Sequence, residues 1–139
     1  MCGRFIIFSE AEEREIQSIV EEINQKYNGT AAMKTGEIFP TDTVPVIAAD
    51  NGIKSTSLSR WGFPNFKGSG VIINARSETL DEKPMFRKIF LTQRCLVPAH
   101  AFFEWKVTPE GKKQKHIIRA AEKTFFIWQD FITLFHFFR

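Results

Sequence analysis

The chain has 139 residues, of which 43% are hydrophobic and 25% are charged, and its formal net charge is +3. This length and balance predict one domain, residues 1–139, that buries its own core, and they exclude an intrinsically disordered chain. The two cysteines, Cys2 and Cys95, are too few for a disulfide framework or a zinc site, and no signal peptide precedes them. We therefore expect a cytoplasmic protein with no metal and no other cofactor.

The charges are unevenly distributed along the chain. Six of the sixteen acidic residues precede residue 26, and from there onward seventeen Lys or Arg face ten Asp or Glu. A basic surplus of this kind permits a polyanionic partner such as DNA, although a solvated basic surface is the alternative interpretation.

The first predicted element is an amphipathic helix over residues 9–27. Ser9 and Glu12 form a capping box at its start, and Asn28 and Gly29 provide a stop signal. One apolar stripe faces the core at helical spacing and contains Ile16, Ile19, Val20, Ile23 and Tyr27.

Short strands follow this helix. Residues 44–49 and 53–61 predict a hairpin across an Asp-Asn-Gly turn, and a loop spans Pro64 and residues 67–70. Residues 71–73 predict a buried strand that is followed by the mostly polar residues 74–78, and residues 77–90 are expected to be partly helical with a break at Pro84. Further strands are expected at residues 95–97, 101–106, 116–119 and 124–128. This order predicts an α+β fold with a largely antiparallel sheet, short peripheral helices and no internal repeat.

The C-terminal segment is rich in phenylalanine. Six of the fifteen phenylalanines lie between residues 125 and 139, interrupted by Gln129, Asp130 and His136. The run is too short to cross a bilayer, which needs about 20 apolar residues, so we expect no membrane association. It is either a buried terminal strand or helix, or an exposed apolar tail that invites aggregation or a partner.

Cys2 has unusual chemical potential. If the initiator methionine is removed, this residue carries an α-amine and a thiol on adjacent carbons, so an aldehyde can condense with the amine and be captured by the thiolate as a thiazolidine. Attack of the thiol on an amide, with the amine as base, is a second possible chemistry. A cysteine that merely occupies position 2 is the structural alternative.

Glu104 lies on an apolar strand, where a carboxylate is costly unless it is paired or functional.

Several motifs occur in a characteristic order through about residues 1–123. The motifs are MCGRF at residues 1–5, FPT at 39–41, RWG at 60–62, NAR at 74–76, ET at 78–79, MF at 85–86, RC at 94–95 and FEW at 103–105. Together they resemble the SRAP family of SOS-response-associated peptidases, understood as abasic-site processing proteins.

The resemblance implies a barrel-like SRAP core and a covalent trap for DNA damage. Cys2 would capture the ring-opened aldehyde of an abasic site in single-stranded DNA as a stable thiazolidine crosslink. By the same analogy Asn74 would hold the amino terminus and the sugar, and Glu104 would act as general acid and base. Arg4 and Arg76 would bind phosphates, and Trp61 would stack on unpaired bases. We expect a monomer that needs no protein partner and associates with the nucleoid when bound to DNA.

Each assignment has a structural alternative. Asn74 could end a strand, Arg76 could start a helix, Trp61 could belong to the core, and Glu104 could form an ion pair with Arg94 or Lys106. Outside the proposed site, Cys95 is expected in a buried strand, and His100 and His116 are expected on the surface or in loops. The competing functions are a thiol peptidase and a noncovalent DNA-binding remnant.

The chain departs from the family pattern after about Lys123. Family members continue to a His-x-Arg-Met-Pro segment whose histidine assists proton transfer, and this pattern is absent here. His136 matches neither its neighbours nor its spacing. We therefore expect a truncated or frame-shifted product with a divergent tail at residues 124–139, an incomplete sheet, and impaired stability or activity.

Overall fold

The computed structural model describes residues 3–7, 14–30, 33–50, 52–119, 126–127 and 135–136. The elements within these ranges, in chain order, are β1 (Phe5–Ile7), α1 (Arg14–Lys26), β2 (Gly36–Ile38), β3 (Thr43–Asp50), β4 (Ile53–Trp61), β5 (Phe63–Pro64), β6 (Val71–Ile72), a 3-10 helix (Ser77–Thr79), α2 (Pro84–Thr92), β7 (Cys95–Leu96), β8 (Pro98–Ala99), β9 (Ala101–Val107), β10 (Lys113–Arg119), β11 (Phe126–Ile127) and β12 (Phe135–His136).

The strands form two four-stranded sheets and two small ribbons. The first sheet has the order β10-β9-β1-β2, the second has the order β12-β4-β3-β7, and the ribbons are β11-β8 and β5-β6. The pairings of these strands are antiparallel. The α+β prediction is confirmed. The barrel-like description is too loose, because no sheet among the described strands closes on itself.

The main core joins the two larger sheets. Its buried members come from both sheets and from the β7–β8 segment: Phe5, Ile7, Ile38, Val44, Val46, Trp61, Val97 and Ala99. The rings of Phe5 and Trp61 meet edge to face with centroids 5.0 Å apart, a favourable arrangement for aromatic pairs. This contact ties the N-terminal strand of the first sheet to the longest hairpin of the second.

Helix α1 packs on the second sheet and ends as predicted. Asn28 and Gly29 adopt positive φ angles of 52° and 69°. The Gly29 N–H donates to the carbonyl of Asn24 at 2.8 Å, which is the bond of a Schellman cap that links residues five positions apart. Ile23 of the apolar stripe is buried. The predicted capping box at Ser9 and Glu12 lies outside the described residues.

The predicted β3–β4 hairpin is confirmed, with Asp50 opposite Ile53 and Gly52 at φ 80°. Two details of the next segment were wrong. Pro64 belongs to β5 rather than a loop, because a two-residue ribbon strand tolerates a residue that has no N–H. Strand β6 is half-buried rather than buried, since among the described strands it pairs with the short β5 alone.

A second, smaller core supports the segment after β6. Phe63, Leu80 and Phe86 are buried there and Ala75 packs against them. The expected break at Pro84 is the start of α2, where proline suits the first helical turn because it lacks an N–H. None of the helices in the described ranges is both long enough and apolar enough to span a bilayer. The expected strand at residues 124–128 is described only at β11, and most of the phenylalanine-rich tail lies outside the described residues.

Candidate functional site

Strand pairing brings Glu104 next to the start of the chain. In the β1–β9 ladder Phe5 faces Phe102, and the Phe103 N–H donates to the Arg4 carbonyl at 3.0 Å. Continuing this register by two residues sets Gly3 opposite Glu104. Cys2, the residue before Gly3 in the sequence, lies outside the described residues.

Glu104 shares the inward face of the first sheet with the core. Side chains alternate along a strand, so Glu104 lies on the same face as Phe5 and Phe102. Glu104 is half-buried. Among the described residues, no atom apart from the chain neighbours lies within 4 Å of a Cβ built on Gly3, so the space above Gly3 is open. Glu104 therefore lies at the border of the core, and the space around Gly3 is open.

The segment after β6 carries Asn74 and Arg76. Ile73 packs against the main core, as Phe102 does, and Asn74 directly follows Ile73. Asn74 is half-buried, two residues beyond β6. Arg76 is exposed, and its carbonyl accepts the Thr79 N–H at 3.2 Å at the start of the 3-10 helix. The backbone of Arg76 thus begins a short helix, which was the structural alternative for this residue, while its side chain faces solvent.

Trp61 is 0% exposed and packs on Phe5. An indole at this position cannot stack on a base unless the core opens, so burial favours the core interpretation of this residue. The exposed aromatic ring in the following segment is Phe66, which is 83% exposed in the β5–β6 loop. Asn65 braces that loop, because its side-chain oxygen accepts the Lys67 N–H at 3.1 Å. The sequence feature that could have indicated an exposed ring at Phe66 is its place within a polar, glycine-rich turn.

Arg4 lies on the opposite face of the sheet from Glu104, in an ionic and aromatic cluster. Its Nη1 is 3.2 Å from Glu37 Oε1, and its guanidinium carbon is 4.5 Å from the Phe39 ring centroid and 5.4 Å from that of Trp105. Lys115 Nζ reaches the same Glu37 oxygen at 2.7 Å. The hydrogen bond from Lys115, reinforced by Arg4, lowers the pKa of Glu37 below its usual value. This cluster fastens the residue two positions after Cys2.

The remaining titratable candidates lie around this site. Cys95 is half-buried in β7, and burial raises the pKa of its thiol to about 12, so it is a poor nucleophile at neutral pH. His100 is half-buried between β8 and β9, and its backbone N–H donates to the Ile6 carbonyl at 2.9 Å. His116 is exposed, as predicted, but it is also the register partner of Glu104. Sequence reasoning missed that pairing. No group of three or more His, Cys, Asp or Glu in the described part of the chain could hold a metal ion.

Comparison with known proteins identifies the family. Residues 1–131 match the family model described as SOS response associated peptidase (SRAP). The chain belongs to the SRAP family. It is 35% identical over 117 residues to "Abasic site processing protein YoqW" and 34% identical over 117 residues to "Abasic site processing protein YobE", both of Bacillus subtilis (strain 168). These alignments cover 76% of the chain and 48% and 49% of the relatives, so this SRAP chain spans about half of their length.

Solved structures show the same fold. A protein from Bacteroides thetaiotaomicron aligns with a TM-score of 0.66 at 20% identity, covering 91% of this chain and 57% of that one. A phage-related protein from Bordetella bronchiseptica aligns with a TM-score of 0.56 at 24% identity, covering 86% of this chain and 56% of that one. These likenesses support the α+β fold.

Proposed function

We propose that this SRAP chain captures the ring-opened aldehyde of an abasic site in single-stranded DNA through Cys2, forming a thiazolidine crosslink that shields the lesion. The β1–β9 pairing carries the proposal, because Phe103, the neighbour of Glu104, donates its N–H to the carbonyl of Arg4, two residues after Cys2. Curated relatives of the chain are named abasic site processing proteins. We expect the protein to act as a monomer in the cytoplasm.

The proposed reaction joins one aminothiol and one aldehyde with loss of one water. The α-amine of Cys2 adds to the aldehyde carbon, and Glu104 donates a proton to the resulting hydroxyl, which leaves as water. The thiol of Cys2 then gives its proton to Glu104, and the thiolate attacks the iminium carbon to close the ring. Asn74 holds the amine and the sugar in place, and fixing reactants in this way removes an entropic barrier.

The proposed DNA contacts are made by exposed side chains. Arg76 is exposed, and Arg4 keeps 38% of its side-chain surface exposed despite its ion pair, so both can reach phosphates. A guanidinium has five N–H donors and can bind a carboxylate and a phosphate together. We assign base stacking to Phe66 rather than Trp61, because a stacking ring must be accessible.

The test uses single-stranded DNA with one abasic site, followed by denaturing electrophoresis and intact mass of the product. We expect a heat-stable band for the wild type and for Cys95→Ala, no band for Cys2→Ala, and slow formation for Glu104→Gln. A tetrahydrofuran analogue has no aldehyde and should bind without crosslinking. Absence of a band from folded protein whose mass shows removal of Met1 would overturn the proposal.

The family description also names a peptidase, and peptide hydrolysis would use the same Cys2 thiol. Release of an amine from a peptide by the wild type but not by Cys2→Ala, without any DNA crosslink, would favour that activity. Retention of DNA binding by Cys2→Ala with no chemistry in the wild type would instead leave a noncovalent binding protein.

A further inference from the structure

The face of the sheet that carries Glu104 also carries a histidine. Strands β9 and β10 pair over seven consecutive residue pairs, from Lys113 opposite Val107 to Arg119 opposite Ala101. His116 is directly opposite Glu104 in this ladder. Directly opposed residues have Cβ atoms about 4.5–5.5 Å apart and share a face, so the imidazole and the carboxylate can meet in ordinary rotamers.

The surroundings of this pair suit a proton exchange. All seven residues of β10 are exposed, and β10 is the outermost strand of its sheet as described, so the imidazole has direct access to water. On the same face, Phe102 and Ile118 form the next pair toward the core, and Lys106 and Gln114 form the next pair away from it. Glu104 and Lys106 are thus the charged groups that the paired strand turns toward His116.

We propose that His116 is a positioning and proton-supplying residue that acts through Glu104, an inference that rests on the proposed crosslinking function. A glutamate is ordinarily ionised at neutral pH and needs a proton before it can act as an acid, whereas imidazole exchanges protons between about pH 5 and 8. The imidazolium passes its proton to the Glu104 carboxylate, which protonates the departing hydroxyl. When the Cys2 thiol ionises, its proton returns through Glu104 to His116, so the cycle is balanced.

The experiment measures single-turnover crosslinking to abasic single-stranded DNA from about pH 5 to about pH 8, where imidazole changes charge. His116→Gln should slow crosslinking by about 100-fold near neutral pH, the low end of acid–base effects, and should flatten the pH profile. Binding of the tetrahydrofuran analogue should not change. Gln114→Ala, on the same strand and face, is the matched control and should keep the wild-type rate and profile.

A second variant separates proton supply from a structural role. His116→Ala should be partly rescued by added imidazole, whereas an altered strand would not respond to it. If His116→Gln keeps the wild-type rate and profile while Glu104→Gln is slow, the inference is overturned and the proposed function stands. If the folded wild type forms no crosslink at all, both fall together.

Discussion

Gly62 is the position where one added methyl group should do the most damage to both the fold and the site. Its φ is +110°, and a Cβ built there would lie 2.8 Å from Val71 Cγ2, 2.9 Å from Val71 Cβ and 3.4 Å from Ile73 Cγ2. Val71 cannot relieve this contact by changing rotamer, since its own Cβ is involved. In Gly62→Ala, β6 must therefore shift, and Asn74 lies directly after Ile73.

The expected loss of stability follows from two terms. A left-handed backbone conformation costs a non-glycine residue about 1–2 kcal/mol. Forcing an extra methyl group into packed surroundings costs about 1–3 kcal/mol. Together, Gly62→Ala should lower the free energy of unfolding by about 2–5 kcal/mol, a large part of the roughly 5–15 kcal/mol that stabilises a typical domain.

Urea unfolding measures this loss, and the crosslinking rate reports the displacement of Asn74. Gly68→Ala is the matched control, because its Cβ would meet only the Asn65 side-chain nitrogen at 3.4 Å. It should change the unfolding free energy by less than about 0.5 kcal/mol, as is usual for surface substitutions. Adding Val71→Ala to Gly62→Ala removes the nearest contact and should restore part of the loss. A Gly62→Ala variant as stable as Gly68→Ala would refute the reasoning.

Three further outcomes are expected. Glu22 accepts hydrogen bonds from the Thr56 hydroxyl at 2.6 Å and the Thr56 N–H at 3.0 Å, which lower its pKa. The ionised Glu22 therefore stabilises the fold above the usual pKa of 4.5, and this contribution is lost as pH falls through the lower pKa of the folded state. Glu22→Gln should therefore flatten the acid side of a plot of melting temperature against pH. The free energy of unfolding at neutral pH should fall by less than about 1 kcal/mol, because the carboxylate is exposed. An unchanged acid slope would contradict this. In the Cys2→Ala variant, Cys95 should resist iodoacetamide at pH near 8 until urea is added, because burial raises the pKa of its thiol to about 12; rapid labelling of the folded protein, seen by intact mass, would show otherwise. Glu37→Gln removes the ion pairs to Arg4 and Lys115 and should lower the free energy of unfolding by less than about 1 kcal/mol. Thermal melts should show that this difference from wild type shrinks in high salt. A salt-independent difference would argue against an ionic origin.

The parts of the fold that sequence predicted well are those with local causes. The end of α1 depends on Asn28 and Gly29, and the β3–β4 hairpin depends on the turn before Ile53, so a few adjacent residues carry each signal. The β5–β6 ribbon was not predicted, because Pro64 normally argues against a strand. Its pairing with Val71 is a tertiary contact between residues on either side of a loop.

The site was predictable in its residue types but not in its arrangement. Family motifs named Glu104 and Arg4, yet only the strand register shows that they lie on opposite faces of one sheet. The burial of Trp61 and the exposure of Phe66 depend on how the two large sheets meet. The pairing of His116 with Glu104 joins two strands across a turn, and a shift of one residue there would have turned the histidine to the other face.

The proposed chemistry therefore depends on the core as much as on the reactive groups. Phe5 is packed against Trp61 and paired with Phe102, and this buried set fixes the register of β1 on β9. A slip of one residue would place Phe5 on the solvent face, at a cost of about 1.5–3 kcal/mol for one large apolar side chain. The same register joins the Arg4 carbonyl to the Phe103 N–H, next to Glu104, and the Arg4 side chain is held by Glu37 on the face opposite Glu104. Strand β1 is thus held from both faces immediately after the residue that we propose to react, so packing, rather than a flexible loop, fixes the segment that follows Cys2.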